Sequence, residues 1–482
     1  MSVQPILDAR TAEANMAEAK PCYTPQEALI EANRCLFCFD APCIMACPTG
    51  IDVPSFIRKI AGGNPTGAAR TILSANVLGG SCARVCPTEV LCEGACVVLD
   101  LEGDPVKIGR LQRYATDHVL ERGIDVLAPR LPRNGRKVSV LGAGPAGLGC
   151  AAELAQLGYE VTVYERKPRG GGLNTYGIAY YKMRPEVSLG EVEMIERLGV
   201  TFRFGVEIGR DIDIAALARE SDAVFLGLGL GGARRLGIPG EDLPEVVDAL
   251  DFIEQIRTRP LHEVPVGRRV AVLGCGNTAI DAVTQALRLG AEKAVIVYRR
   301  GEEDMSAYGF EYELAKSDGA AFEFHTVPIE VIGEGGHVRA LLLARTRMVD
   351  GRPGIIPGSE RIEEFDLVLK AVGQETQSSL LESWFPGIAL DDRGRVLHDP
   401  RTMRTSLPKV FVGGDCANGG REVVNAVADG KKAARGIHQW LADEAIEGPV
   451  QPSRLGCADG ALGSGFDHPI RVPELLAAMN PS

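Results

Sequence analysis

The sequence predicts an α/β chain in which two nested, doubly wound units follow a small α-helical module. Three observations carry this reading. Eight cysteines crowd between Cys35 and Cys96. A strand, a glycine-rich turn and a helix follow one another from Lys137. The same succession recurs from Arg269.

At 482 residues and 45% hydrophobic content the chain can bury about three cores. Its formal charge of −12 suits neither nucleic-acid phosphates nor an anionic membrane face. The opening MSVQPILDARTAEANMAEAK lacks the apolar run of a signal peptide, and no segment approaches the ~20 apolar residues of a membrane helix. A cytoplasmic protein is expected, with no nucleic acid and no membrane as partner. Thiols stay reduced in that compartment.

The helical module comes first. RCLFCFDAPCIMACP sets Cys35, Cys38, Cys43 and Cys47 at gaps of two, four and three residues, and SCARVCPTEVLCEGAC adds Cys82, Cys86, Cys92 and Cys96. Nine of the 13 cysteines precede residue 97. A disulfide framework does not suit a reducing compartment. Structural zinc prefers two CxxC pairs or CxxC with paired histidines; here Cys35–Cys38 is the module's one CxxC, and the nearest later histidine is His118. Thiolates hold iron well, and ferredoxin-type runs end in Cys-Pro, as do Cys47-Pro48 and Cys86-Pro87. Eight such residues suggest two [4Fe-4S] clusters. Cys22, Cys150, Cys275, Cys416 and Cys457 read as ordinary thiols. Apolar spacing predicts helices over 54–61 and 66–76, and the Pro- and Arg-rich 124–136 reads as a linker.

The first doubly wound unit opens with the strand Lys137–Leu141. Gly142, Gly144 and Gly147 then complete a GxGxxG turn that includes Pro145 and Ala146. The first glycine makes the turn, the second admits a pyrophosphate, and the third lets helix and strand pack closely. The strand VTVYE brings Glu165, followed by Arg166, to where an acid binds a ribose hydroxyl. TSLPKVFVGGDC, with Gly414 and Asp415, supplies a strand-end aspartate of the kind that reaches the ribityl chain of FAD. The helix expected from 422 to 439 would aim its N-terminus at that flavin. Together these predict FAD.

The second unit repeats the pattern with Gly274, Gly276, Asn277, Thr278 and Ala279. Its strand AVIVYRR ends in Arg299 and Arg300 where the first unit has Glu165. Arginines there pair with the 2′-phosphate of NADP(H), an acid with the free hydroxyl of NAD(H). Glu302, Glu303 and Asp304 weaken the phosphate reading, which is still favoured. The chain returns near Gly373. The expected domains are therefore 1–130, helical and iron–sulfur; 131–260, FAD-binding, first part; 261–373, NAD(P)-binding; 374–446, FAD-binding, second part; and 447–482, a flexible tail whose VPELLAAMN could form a docking helix.

A nicotinamide gives two electrons as a hydride, a cluster takes one at a time, and a flavin converts between them. The order of parts suggests NAD(P)H to FAD to clusters to a partner, with no acid–base group required. A flavin disulfide reductase would need a cysteine pair near the flavin, but Cys150 and Cys275 are isolated. A non-catalytic flavin-binding module need not keep the second unit intact.

From Cys35 to Ala434 the chain resembles the small subunit of glutamate synthase and the flavin-containing half of dihydropyrimidine dehydrogenase. DAPC (Asp40–Cys43) and IGRLQRYATD (Ile108–Asp117) look like the pyrimidine enzymes. The resemblance implies one cluster on Cys35, Cys38, Cys43 and Cys96, and another on Cys47, Cys86, Cys92 and Gln112, leaving Cys82 outside. Glutamate synthase typically has Glu at the Gln112 position. YRRGEEDMS is closer to the glutamate synthase form. The loop GGLNTYGIAYYKMRP departs from the family's pattern. By resemblance it brings Gly172, Leu173 and Lys182 near the flavin, with Lys182 where Arg is usual. The resemblance further implies a separate FMN-containing barrel subunit that reduces uracil or thymine, in a heterotetramer. Its alternative is the glutamate synthase role.

Overall fold

The computed structural model describes residues 3–128 and 131–442. The longer helices of the cysteine module are α1 (Pro25–Ala32), α2 (Val53–Ala61), α3 (Pro65–Ala75), α4 (Gly79–Val85) and α5 (Ile108–Leu120), with short turns of helix at Pro42–Met45 and Val97–Glu102. Their starts follow local chemistry. Thr24 and Glu27 close a reciprocal capping box on α1, Asp52 caps α2 and Asn64 caps α3, with proline in the first turn of each. The segment 124–136 has no helix or strand among its described residues.

The flavin half supplies β1 (Lys137–Leu141), α6 (Pro145–Gln156), β2 (Glu160–Glu165), α7 (Pro185–Arg197), β3 (Thr201–Phe204) and β4 (Ala223–Leu226). Then come β5 (Val246–Asp248), β6 (Arg269–Leu273), α8 (Asn277–Arg288), β7 (Lys293–Val297), β8 (Ala321–Glu323) and β9 (Leu367–Lys370). The chain closes with β10 (Val410–Val412) and α9 (Val423–Ala442). Two parallel sheets result, ordered β10-β4-β1-β2-β3 and β5-β9-β6-β7-β8. In each, the strand before the glycine turn is central, so its carboxyl end opens where strand order reverses, which is where such sheets bind ligands. An antiparallel sheet built from Thr326–Glu334, His337–Val349, Arg352–Ile355 and Arg361–Glu364 interrupts the second unit before β9.

Two compact units emerge. One comprises residues 20–175, 186–230 and 376–442, so the cysteine module and the flavin half share one body and a continuous core. The other comprises residues 3–19, 176–185 and 231–375. The second unit therefore begins earlier than the expected 261: β5 pairs in parallel with β9, and Ala249–Thr258 packs behind it. Residues 3–19 join this unit rather than the helical module. Ala12 and Met16, four residues apart, bury one stripe in its core, and the Asn15 amide donates to the Arg288 carbonyl at the end of α8. The loop 171–185 is divided, its part from Tyr176 to Pro185 belonging to the second unit. The tail from 447, VPELLAAMN within it, and Cys457 lie outside the described residues.

Candidate functional site

The flavin cradle is built at the carboxyl end of β1. Gly142 has φ +102, and a Cβ there would lie 2.4 Å from the Gly227 carbonyl oxygen, so only glycine makes this turn. A Cβ on Gly144 would meet only the Gly172 Cα, at 4.0 Å. That leaves open room at the N-terminus of α6 for a pyrophosphate. Pro145 and Ala146 begin α6 itself, and Gly147 packs against the Gly142 carbonyl. Both Glu165 oxygens are held by backbone amides, from Ala143 at 2.9 Å and Lys167 at 2.8 Å, which fixes the acid at the strand end. Arg166 and Leu173 are exposed. Gly414 has φ +72, and Asp415 follows at the start of a short helix. Burial raises the Asp415 carboxyl, and Asp429 and Glu422 add to it. These residues fit FAD: an open glycine cradle, an acid fixed at the end of β2 and an aspartate at the end of β10.

In the same unit, Cys35, Cys38, Cys43 and Cys96 line one pocket, otherwise walled by apolar side chains including Val53 and Ile57. Cys47, Cys86 and Cys92 form a neighbouring group whose charges act on one another. Cys82 joins this group through a hydrogen bond to Cys86. Gln112 is buried on α5, and its amide nitrogen donates to the Gly79 carbonyl at 2.7 Å. The Phe37 amide donates to the Cys35 sulfur at 3.5 Å. Burial pushes the Cys43 and Cys92 thiols up; in Cys86 the Cys82 hydrogen bond is the larger cause and burial the next. Thiolates in such surroundings require compensating cationic charge. Among the described residues no group of three or more His, Cys, Asp or Glu side chains is set to hold a single metal ion. The donor set and the cavity fit iron–sulfur clusters.

The second unit carries the other cradle. Gly274 has φ +120, and a Cβ there would lie 2.3 Å from the Ala371 carbonyl. Gly276 precedes α8, which begins with Asn277, Thr278 and the buried Ala279. The Asn277 side chain accepts from the Tyr308 amide at 3.0 Å. Gly373 turns with φ +89 just beyond β9. β7 ends at Val297, so Arg299 and Arg300 lie past its carboxyl end, and neither forms an ion pair among the described residues. The Arg300 Nε is buried without a hydrogen-bond partner. Lys182 belongs to this unit. Its ammonium sits 2.6 Å from Asp281 and 2.7 Å from Glu311, so it is committed to two carboxylates there.

Sequence reasoning missed Glu191 and Lys431, two buried charges of the flavin half that end in the cysteine module. Each stands in an ordinary amphipathic helix, and no local signal separates it from a solvated side chain.

Residues 12–124 match the family model of dihydropyrimidine dehydrogenase domain II, 4Fe-4S cluster, and residues 136–430 match pyridine nucleotide-disulphide oxidoreductase. The chain is similar to the small chain of NADPH glutamate synthase from Halomonas elongata, with 37% identity across 90% of this chain and 95% of that one. It is also similar to the subunit PreT of NAD-dependent dihydropyrimidine dehydrogenase from Escherichia coli, with 32% identity across 88% of this chain and 97% of that one. Among solved structures, FprA from Mycobacterium tuberculosis, in complex with NADPH, superimposes with a TM-score of 0.53 over 72% of this chain and 91% of its own, at 23% identity. That likeness is one of fold. Among the described residues no helix is long and apolar enough to cross a membrane.

Proposed function

The chain belongs to the pyridine nucleotide-disulphide oxidoreductase family and carries an iron–sulfur domain of the dihydropyrimidine dehydrogenase type, and from that membership we propose that it is the electron-input subunit of an NAD(P)H-dependent dihydropyrimidine dehydrogenase. In this reading the second unit binds NADPH, the flavin half binds FAD, and the cysteine module holds two [4Fe-4S] clusters that pass electrons to an FMN-containing barrel subunit. That partner, in a heterotetramer, reduces uracil or thymine to the 5,6-dihydro product. A flavin accepts a hydride and releases single electrons, which clusters carry one at a time.

The residues of this chain bind and orient. Gly144 and the first turn of α6 take the pyrophosphate, and Glu165 and Asp415 fix the two ends of the FAD. Arg299 and Arg300, without an ion-pair partner among the described residues, suit the 2′-phosphate of NADPH. Cys35, Cys38, Cys43 and Cys96 would hold one cluster, and Cys47, Cys86 and Cys92 the other with Gln112.

The observation that carries the pyrimidine reading is Gln112. Its amide donates to the Gly79 carbonyl in a buried site, and its oxygen has no donor among the described residues. A glutamate there would set a carboxylate against that carbonyl. A second reading, the small subunit of glutamate synthase, is favoured by the 37% identical relative and by YRRGEEDMS. Gentle native purification, identification of the co-purifying subunit, and an assay of uracil-dependent NAD(P)H oxidation separate the two. An FMN subunit with uracil turnover is expected. A large glutaminase-containing subunit with no uracil turnover would sink the pyrimidine reading in favour of the second.

A further inference from the structure

Two buried charges from the flavin half grip one corner of the cysteine module. Glu191, on α7, is fully buried. Its carboxylate accepts from the backbone N–H groups of Gly80 and Ser81 at 2.8 and 2.9 Å, and from the Ser81 hydroxyl at 2.5 Å. These amides open α4, and the residue before it, Leu78, offers no side-chain cap. The first amides of a helix have no partner within it and carry the positive end of its dipole. Glu191 supplies their partner from 110 residues away. Lys431, on α9, does the converse: its ammonium donates to the carbonyls of Ala75 at 2.6 Å and Ser74 at 3.3 Å, where α3 ends. A cation thus holds the carbonyl end of the α3–α4 corner, and an anion holds its amide end.

The corner leads directly to the second group of thiols. Cys86 caps the far end of α4, about 8 Å along the axis from Ser81. Gly79, at its near end, anchors the Gln112 amide. Burial pushes the Glu191 carboxyl up to about 7, although the Ser81 and Gly80 hydrogen bonds and the facing Arg84 pull it down. Arg84 bonds both Asp117 oxygens at 2.8 Å, and Arg113 lies 3.1 Å from the same carboxylate. The cation that faces Glu191 is therefore already matched by Asp117 on α5, and on α9 Lys431 is turned to the carbonyls of α3.

We propose that Glu191 is a positioning residue for electron exit: it holds α4 against the flavin half, and it binds one proton from water when an electron supplied by reduced flavin reaches the cluster held by Cys86. The proposal rests on Cys47, Cys86 and Cys92 holding a cluster. One electron and one proton arrive together, so the buried region gains no net charge. Without the proton, two negative charges would share the poorly solvated ends of α4, where repulsion is screened less than in water.

The test is a redox titration of the purified full chain, read by EPR between pH 6 and 8, with iron and sulfide counted in every sample. In the wild-type chain one midpoint is expected to fall as pH rises, by one proton per electron. Glu191→Gln keeps a neutral acceptor against Gly80 and Ser81; its iron content should be unchanged, its slope lost, and its midpoint held at the acid-side value. Ser81→Ala keeps the carboxyl and removes a hydrogen bond that favours the ionised form, so the sloping window should move to higher pH. A flat wild-type midpoint, or a slope that survives in Glu191→Gln, overturns the proposal and leaves the cluster assignment standing. A wild-type chain with iron for only one cluster overturns the assignment and the proposal together.

Discussion

Single residues decide how charge is tolerated inside this protein. Lys182 is the clearest case in the second unit. Burial works against its ammonium, yet Asp281, Tyr181 and Glu311 together hold its pKa above the ordinary lysine value. Removing it would leave two buried carboxylates without a cation. Lys182→Met is expected to destabilise the chain by roughly 3–5 kcal/mol in denaturant unfolding, with flavin content per folded chain unchanged. Loss of flavin without loss of stability would instead return Lys182 to the flavin. Glu191 has a different signature. Its folded pKa is about 7 against an ordinary 4.5, so its contribution to stability is fully present below about 4.5 and is lost as pH rises through 7. The loss amounts to roughly 3 kcal/mol. Denaturant midpoints between pH 4.5 and 8 should fall less steeply in Glu191→Gln than in the wild type. The role of Glu191 was illegible in EVEMIERLGV, because a helical glutamate is normally a solvated one and only its long-range partners mark it out.

At the scale of elements, glycines perform two separable tasks. Those of α6 and α9 permit contact between helices: a Cβ on Gly430 would lie 2.1 Å from the Ala146 carbonyl, and one on Gly149 would lie 2.9 Å from that of Val427. Gly144 leaves room for a ligand instead. Gly144→Val should therefore fold with near wild-type stability and bind little FAD, seen as loss of the flavin absorbance band. Gly430→Ala should cost about 1–3 kcal/mol through overpacking, seen in the unfolding midpoint. If Gly144→Val retained full flavin, the cradle would lie elsewhere. These elements were largely legible in advance. β1 and β6 begin at Lys137 and Arg269, as read from sequence, and each leads through its glycine turn into a helix. The antiparallel sheet was not legible, since its strands carry mixed burial and no glycine punctuation tied to a cofactor.

For the whole molecule, the chain should oxidise NADPH with an artificial electron acceptor in the absence of any partner, and uracil should not change that rate. Arg299→Ala with Arg300→Ala should raise the KM for NADPH about a hundredfold or more and leave NADH turnover nearly unchanged, because only NADPH carries the 2′-phosphate that each arginine would bind at ~1.5–3 kcal/mol. Equal losses with both nucleotides would remove the arginines from phosphate recognition. By itself the sequence determined the chemistry: eight clustered thiols, two glycine turns after apolar strands, and a strand-end acid in one unit against arginines in the other. Each of these is a local constraint, in which a turn needs its glycine and iron needs its sulfur, so a few adjacent residues suffice to declare it. Tertiary structure decided the rest. It drew residues 3–19 and 231–260 into the second unit, placed Cys82 beside Cys86, turned Lys182 to two carboxylates and set Glu191 and Lys431 on the ends of α4 and α3. Those outcomes join residues far apart in the chain, and the packing of helix ends and buried charges selects them only once the fold has closed.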